Sequence, residues 1–150
     1  MAEEYFLYSS VEASPEEAID FLVTALDAQR TEIGLLRGET LTMSVLAADS
    51  DDVERGLGLG IAGTRLSGLI RIRSLDLAQA DDDLQAAIRA VLGLLDHYPG
   101  DAVLTFDSWI VLRRVGTSLQ LNSDWPGWEE VPALQPIVEA YEMRALPKRA

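Results

Sequence analysis

Two hydrophobic periods alternate along this chain, one near two residues and one near 3.6, and they divide it into strands and helices. The first run, Glu3 to Val11, holds Tyr5, Phe6, Leu7 and Tyr8 and predicts a strand by its aromatic content. It stops at Ser14-Pro15-Glu16-Glu17, a capping box in which the Ser14 hydroxyl accepts from the N3 amide and Glu17 reaches back to the Ser14 amide. Pro15 falls at N1, where its missing N–H costs nothing. Ile19, Leu22, Val23 and Leu26 then share one helix face, with Asp20 and Asp27 turned outward, and the helix is predicted to end near Arg30.

Two strands follow: a short one from Glu32 to Arg37, a turn at Gly38, and a second in which Leu41, Met43, Val45 and Ala47 alternate with polar residues. Asp49 to Asp52 reads as an acidic turn. Gly56 to Gly68, with five glycines in 13 residues, reads either as a glycine-weakened strand or as a loop folded against the sheet. Leu69 to Leu75 is a clearer strand, with Leu69, Ile70 and Ile72 beside Arg71 and Arg73. Asp81-Asp82-Asp83 is expected to open a second helix, whose apolar face is Leu84, Ile88, Val91, Leu92 and Leu95 and which closes at His97 and Pro99-Gly100. Ala102 to Phe106 and Trp109 to Val115 are strands joined by an Asp107-Ser108 turn, and Ser118 to Leu121 follows Gly116-Thr117. The tail holds the irregular Trp125-Pro126-Gly127-Trp128 and a short helix around Ile137 to Met143. The expected fold class is α+β: a mainly antiparallel sheet with two principal helices on one face, in the order β-α-β-β-(β)-β-α-β-β-β. No linker interrupts the pattern, so residues 1–150 are read as one domain.

Composition narrows the function. Twelve basic against 25 acidic side chains give a net charge of −13, which speaks against nucleic-acid binding because phosphate contacts need a basic footprint. The chain has no Cys, which removes disulfides, thiol catalysis and cysteine metal sites. No stretch approaches the 18 apolar residues of a membrane span, and Met1-Ala2-Glu3-Glu4 is acidic where a signal peptide is basic, so a cytoplasmic protein is expected.

Candidate chemistry meets a plainer reading at each position. Gly58-Leu59-Gly60-Ile61-Ala62-Gly63 matches G-x-G-x-x-G, but it follows Asp51-Asp52-Val53-Glu54-Arg55 rather than a buried strand and leads into a poor helix. Asp49, Asp51, Asp52 and Glu54 fail the calcium-loop pattern, which needs Gly at its sixth position and Glu at its twelfth, where this chain has Glu54 and Gly60. His97 is the single histidine and no G-x-S-x-G elbow exists, so a helix C-terminal role suits it better than catalysis. No catalytic, cofactor-binding or metal-ligating residue is therefore assigned.

The charge distribution says more. Residues 1–29 hold seven acids and no base, and between Arg114 and Arg144 there are five acids and again no base. The arginines concentrate centrally, with Arg65, Arg71 and Arg73 placed on one face of a strand pair. Trp125 and Trp128 flank Pro126-Gly127 beside Asp124, Glu129 and Glu130. Two tryptophans there either cover the end of the core or form, with those acids, a contact surface for a cationic partner.

Several segments together resemble the Sit-type (swarm-inhibition) immunity proteins of bacterial polymorphic toxin systems. They are Met1-Ala2-Glu3-Glu4-Tyr5-Phe6-Leu7, the Ile70-Arg71-Ile72-Arg73 strand leading to Leu75, the helix from Asp82 through Leu95, and Pro99-Gly100-Asp101-Ala102-Val103-Leu104. Ile110-Val111-Leu112-Arg113-Arg114 and Leu119-Gln120-Leu121-Asn122 with a downstream Trp complete the pattern. The resemblance implies a cytoplasmic protein that binds and neutralises a cognate toxin domain encoded beside it, with no catalytic residues. Monomer and homodimer both stay open, and no cofactor, nucleic-acid or membrane partner is expected. The excess of acid would suit a nuclease toxin with a basic cleft. The alternatives are an acidic secretion chaperone that holds an effector, and a small ligand-binding α+β domain.

Overall fold

The aromatic run near the start forms β1 (Glu3–Ser9), and its composition explains its position. Tyr5 and Leu7 enter one apolar cluster while Phe6 and Tyr8 pack on another, so both faces of the strand are apolar, which suits the middle of a sheet. The computed structural model describes residues 3–32, 34–38, 40–73 and 76–146. After β1 come α1 (Pro15–Leu26), β2 (Gln29–Glu32), β3 (Leu35–Arg37), β4 (Leu41–Ala47), α2 (Ser50–Gly58), β5 (Leu66–Ile72) and α3 (Leu77–His97). The second half is β6 (Ala102–Phe106), β7 (Trp109–Val115), β8 (Ser118–Asn122), α4 (Gly127–Glu130), a 3-10 turn at Pro132–Leu134, α5 (Gln135–Ala140) and β9 (Glu142–Arg144). The strands form one sheet in the order β2-β3-β4-β5-β1-β6-β7-β8-β9, antiparallel except for the β8–β9 pair. The fold is α+β.

Helices α1 and α3 pack against each other and cover one face of the sheet, where Ile19, Leu22, Ile88, Val91 and Leu95 meet Leu7, Met43, Ile70, Leu104 and Leu112. In β7 a bulge leaves Val111 between Ile110, opposite Thr105, and Leu112, opposite Leu104; three successive apolar side chains are thereby buried. On the other face Leu59, Ile61 and Leu146 pack on Tyr8, Val103 and Ile110. Arg114 ties the strands to α3. Its guanidinium donates to the carbonyls of Gly100 (2.7 Å), Tyr98 (2.7 Å) and Leu95, placing a cation where the helix ends in unpaired carbonyls. Burial holds its pKa below the usual arginine value, against the opposing pull of Asp101 and Asp96.

The capping box of α1 forms as expected, with Glu17 N to Ser14 Oγ at 3.1 Å and Ser14 N to Glu17 Oε1 at 3.0 Å. The helix ends at Leu26 rather than near Arg30, because Asp27 takes a left-handed φ of 49° that reverses the chain. Arg30 then lies on β2 and reaches back to Glu16 and to Asp20 (2.7 Å). The expected strand from Glu32 to Arg37 is two strands; Ile33 lies outside the described residues, and Gly34 has a φ of +75° with no room for a Cβ beside the Val45 carbonyl. Asp49 to Asp52 is not a turn but the capping box of α2, with Asp52 N to Asp49 Oδ1 at 2.8 Å and Asp49 N to Asp52 Oδ2 at 3.1 Å. Consequently Gly56 to Gly68 is neither a strand nor a loop throughout; it is the end of α2, a turn, and the start of β5. Of the strand expected to reach Leu75, β5 ends at Ile72 and Leu75 lies outside the described residues. The second long helix opens at Asp76, whose side chain accepts from Ala78 N at 3.0 Å, so Asp81 to Asp83 lie inside α3. In the tail, α5 stops at Ala140 and Met143 belongs to β9, paired with Leu121.

Candidate partner-binding surfaces

The loop after β8 is held from below. Asn122 is fully buried; its Nδ2 donates to the Ile110 carbonyl at 2.7 Å and its Oδ1 accepts from Asp124 N and Leu146 N, both at 3.0 Å. Trp125 and Trp128 are 4% and 2% exposed, which makes them core residues in this fold. Their rings meet edge to face at 4.9 Å, and Trp125 meets Tyr5 in the same way at 6.4 Å while Tyr5 stacks on Phe106 at 4.5 Å. Burial, then the charge of Glu3, pushes the Tyr5 hydroxyl well above the usual tyrosine value. Gly127 is required where it stands, since a Cβ would come within 2.4 Å of the Trp125 ring. Of the five residues expected to form a contact surface, only Asp124, Glu129 and Glu130 are exposed. The tryptophans shape the loop and the carboxylates face outward.

A second surface lies on the face of the sheet away from α1 and α3. Strand register sets Arg37, Thr42, Arg71 and Glu4 in one row across β3, β4, β5 and β1, and Leu35, Ser44, Leu69 and Phe6 in the next. Arg37, Arg71 and Arg73 line an open pocket of about 460 Å³ with Thr42 between them. The Arg71 guanidinium is held by Glu4, at 3.0 Å from Nε and 2.6 Å from Nη2. Among the described residues neither Arg37 nor Arg73 has an ion-pair partner, and both are exposed. Beside this pocket a smaller one of about 220 Å³ runs between α2 and the sheet, lined in part by Phe6, Leu46 and Leu69. Arg55 stands over it, its pKa raised first by a hydrogen bond with Tyr8.

The sequence places Arg65 with Arg71 and Arg73, but Arg65 precedes β5 at the opposite end of that strand. Arg37 takes its place, brought in by the β3–β4 pairing. The signal available for this was the spacing of Arg37 and Thr42 about the Gly38 turn, which sets them opposite one another once the hairpin closes.

The remaining motifs resolve structurally. Gly58, Gly60 and Gly63 lie at and beyond the C-terminal end of α2, where carbonyls rather than amides are left free, the reverse of a phosphate cradle. His97 ends α3, stacked on Phe21 at 5.3 Å. Asp83 accepts from Thr40 Oγ1 and from Gln79 Nε2 (2.9 Å). Among the described residues no group of three or more His, Asp or Glu is placed to hold a metal, and no helix is long and apolar enough to cross a membrane.

The α+β scaffold thus carries an acidic loop after β8 and an arginine-lined open face on its sheet. The chain matches the SitI3-like family model over residues 3–132, and it belongs to that family, in agreement with the Sit-type immunity resemblance of its sequence. No curated protein and no solved structure matches it.

Proposed function

We propose that this chain is an immunity protein that binds a cognate toxin domain in the cytoplasm and neutralises it by occlusion. The observation that carries this reading is the family match, which spans residues 3–132. The role asks for a rigid scaffold and complementary surfaces, with no chemistry of its own. A net charge of −13 supplies a long-range field that draws in a basic partner and repels wrong ones. A nuclease, whose substrate cleft is cationic, is the toxin class that such a field suits. In this reading Asp124, Glu129 and Glu130 are contact or steering carboxylates, and Trp125 and Trp128 act through the loop they anchor.

The test is co-expression with the protein encoded beside this chain, reading host growth and co-purification together. The expected result is a toxic neighbour whose toxicity this chain relieves in a stable complex. A harmless neighbour that the chain merely keeps soluble overturns neutralisation in favour of a secretion chaperone. Absence of nucleic-acid cleavage by a toxic neighbour removes the nuclease class alone.

A further inference from the structure

We propose that the open sheet face over β3, β4, β5 and β1 is where the toxin docks, and that the Arg37–Arg71–Arg73 pocket receives a cluster of carboxylates on that partner. This deepens the neutralisation reading and rests on it. The placement is the first reason: α1 and α3 cover one face of the sheet, while Arg37, Thr42, Leu69 and Arg71 face the other.

Charge is the second reason. Three guanidiniums line the pocket, and among the described residues Glu4 pairs with one of them while Asp83 accepts from Thr40 at its edge, so cations outnumber carboxylates at this spot on a molecule of net charge −13. Arg71 already has its fork filled, whereas among the described residues Arg37 and Arg73 have no ion-pair partner, which leaves their forks for bidentate pairing with carboxylate oxygens. A polyanion such as a nucleic acid would run off this spot onto acidic surface, whereas a protein can carry carboxylates at one point and cations around it. Such an inversion of sign fixes the register of docking and penalises partners that lack it.

Composition is the third reason. Half-buried Phe6 and Leu69 lie in the row next to the arginines, and the 52%-exposed Leu46 lines the smaller pocket beyond them. Arginine and aromatic residues beside an apolar patch are what the energetic centre of a protein interface is made from.

The experiment has two arms. In the first, the double variant Arg37→Glu/Arg73→Glu and the control Arg89→Glu, which lies on α3 over the opposite face, are titrated with the co-expressed toxin by calorimetry. The expected result is a loss of affinity of about tenfold or more for the double variant and less than about twofold for the control, with melting temperatures unchanged. Equal affinities, or equal losses in both, overturn the docking surface. In the second arm the chain alone is titrated with the peptide acetyl-Leu-Glu-Glu-Leu-Glu-Glu-Leu-amide while arginine Nε–Hε resonances are followed. Shifts at Arg37, Arg71 and Arg73 with none at Arg89 support the carboxylate preference, and no shift in any of the three overturns it. A wild-type chain that ignores the toxin while its arginines respond to the peptide overturns the neutralisation reading and with it the toxin as occupant.

Discussion

The two faces of the sheet are built from the same strands and serve opposite ends. In β5, Leu66, Gly68, Ile70 and Ile72 are buried under the helices, while Ser67, Leu69 and Arg71 alternate with them on the far side and remain half-buried. The helical face is closed by α1 and α3 and carries most of the apolar burial that stabilises the fold. The far face is capped over the Tyr8 end of β1 and over β6 and β7 by Leu59, Ile61 and Leu146, and is left open over β3, β4, β5 and the Glu4 end of β1. One strand can thus contribute to stability and recognition at once, because its side chains alternate with a period of two. Substitutions on the two faces should separate those contributions cleanly.

The largest effect belongs to the tryptophan cluster that closes the core below the acidic loop. Trp128→Ala should cost about 3–5 kcal/mol in urea unfolding, since it empties a fully buried site. A loss below 1 kcal/mol would return Trp128 to the surface and weaken the distinction between core and loop. Next comes the helix-end lock. Arg114→Met leaves three carbonyls without their donor and should cost about 2–3 kcal/mol by the same measurement, whereas Arg113→Met on the far face should leave the midpoint nearly unchanged. Smaller again is the capping box: Ser14→Ala should lower stability by about 1 kcal/mol, and Ser14→Asp should restore it. On the open face Arg37→Ala should move stability by no more than about 0.5 kcal/mol, because its side chain is exposed and has no ion-pair partner among the described residues. A larger change would mean that the arginine row holds the sheet together rather than waiting for a partner. Least visible in stability is Asp124→Asn/Glu129→Gln/Glu130→Gln, which should slow association with a basic toxin severalfold and flatten its salt dependence while leaving the melting temperature in place. An unchanged association rate removes these three carboxylates from the encounter.

Much of the fold was legible residue by residue. The strands β1, β4, β6, β7 and β8 announce themselves by alternation or by continuous apolar runs, and the α1 capping box marks the start of its helix to the residue. What escaped was α2, since three glycines within and just after it and an exposed acidic face erase its apolar stripe; only Gly56 is buried in it, packed so close to Thr64 that a Cβ would not fit. The start of α3 was hidden by three aspartates that look like a helix opening but sit in its second turn, after an apolar first turn that is largely exposed. At the loop, the sequence shows acids and tryptophans side by side and cannot say which of them face inward. Neighbours in sequence at a tight bend point in opposite directions, and Asn122 with Gly127 decides which way each one turns.

The sequence by itself determined the α+β class, the two principal helices, the acid excess and the immunity-family pattern, because each of these is written in local period, capping and composition. Tertiary structure alone decided that Trp125 and Trp128 lie inside, and that Arg37 joins Arg71 and Arg73 while Arg65 stands apart. Register is the reason: residues tens of positions apart in the chain become neighbours only when strands pair, and pairing is set by the burial of the whole sheet rather than by any one segment.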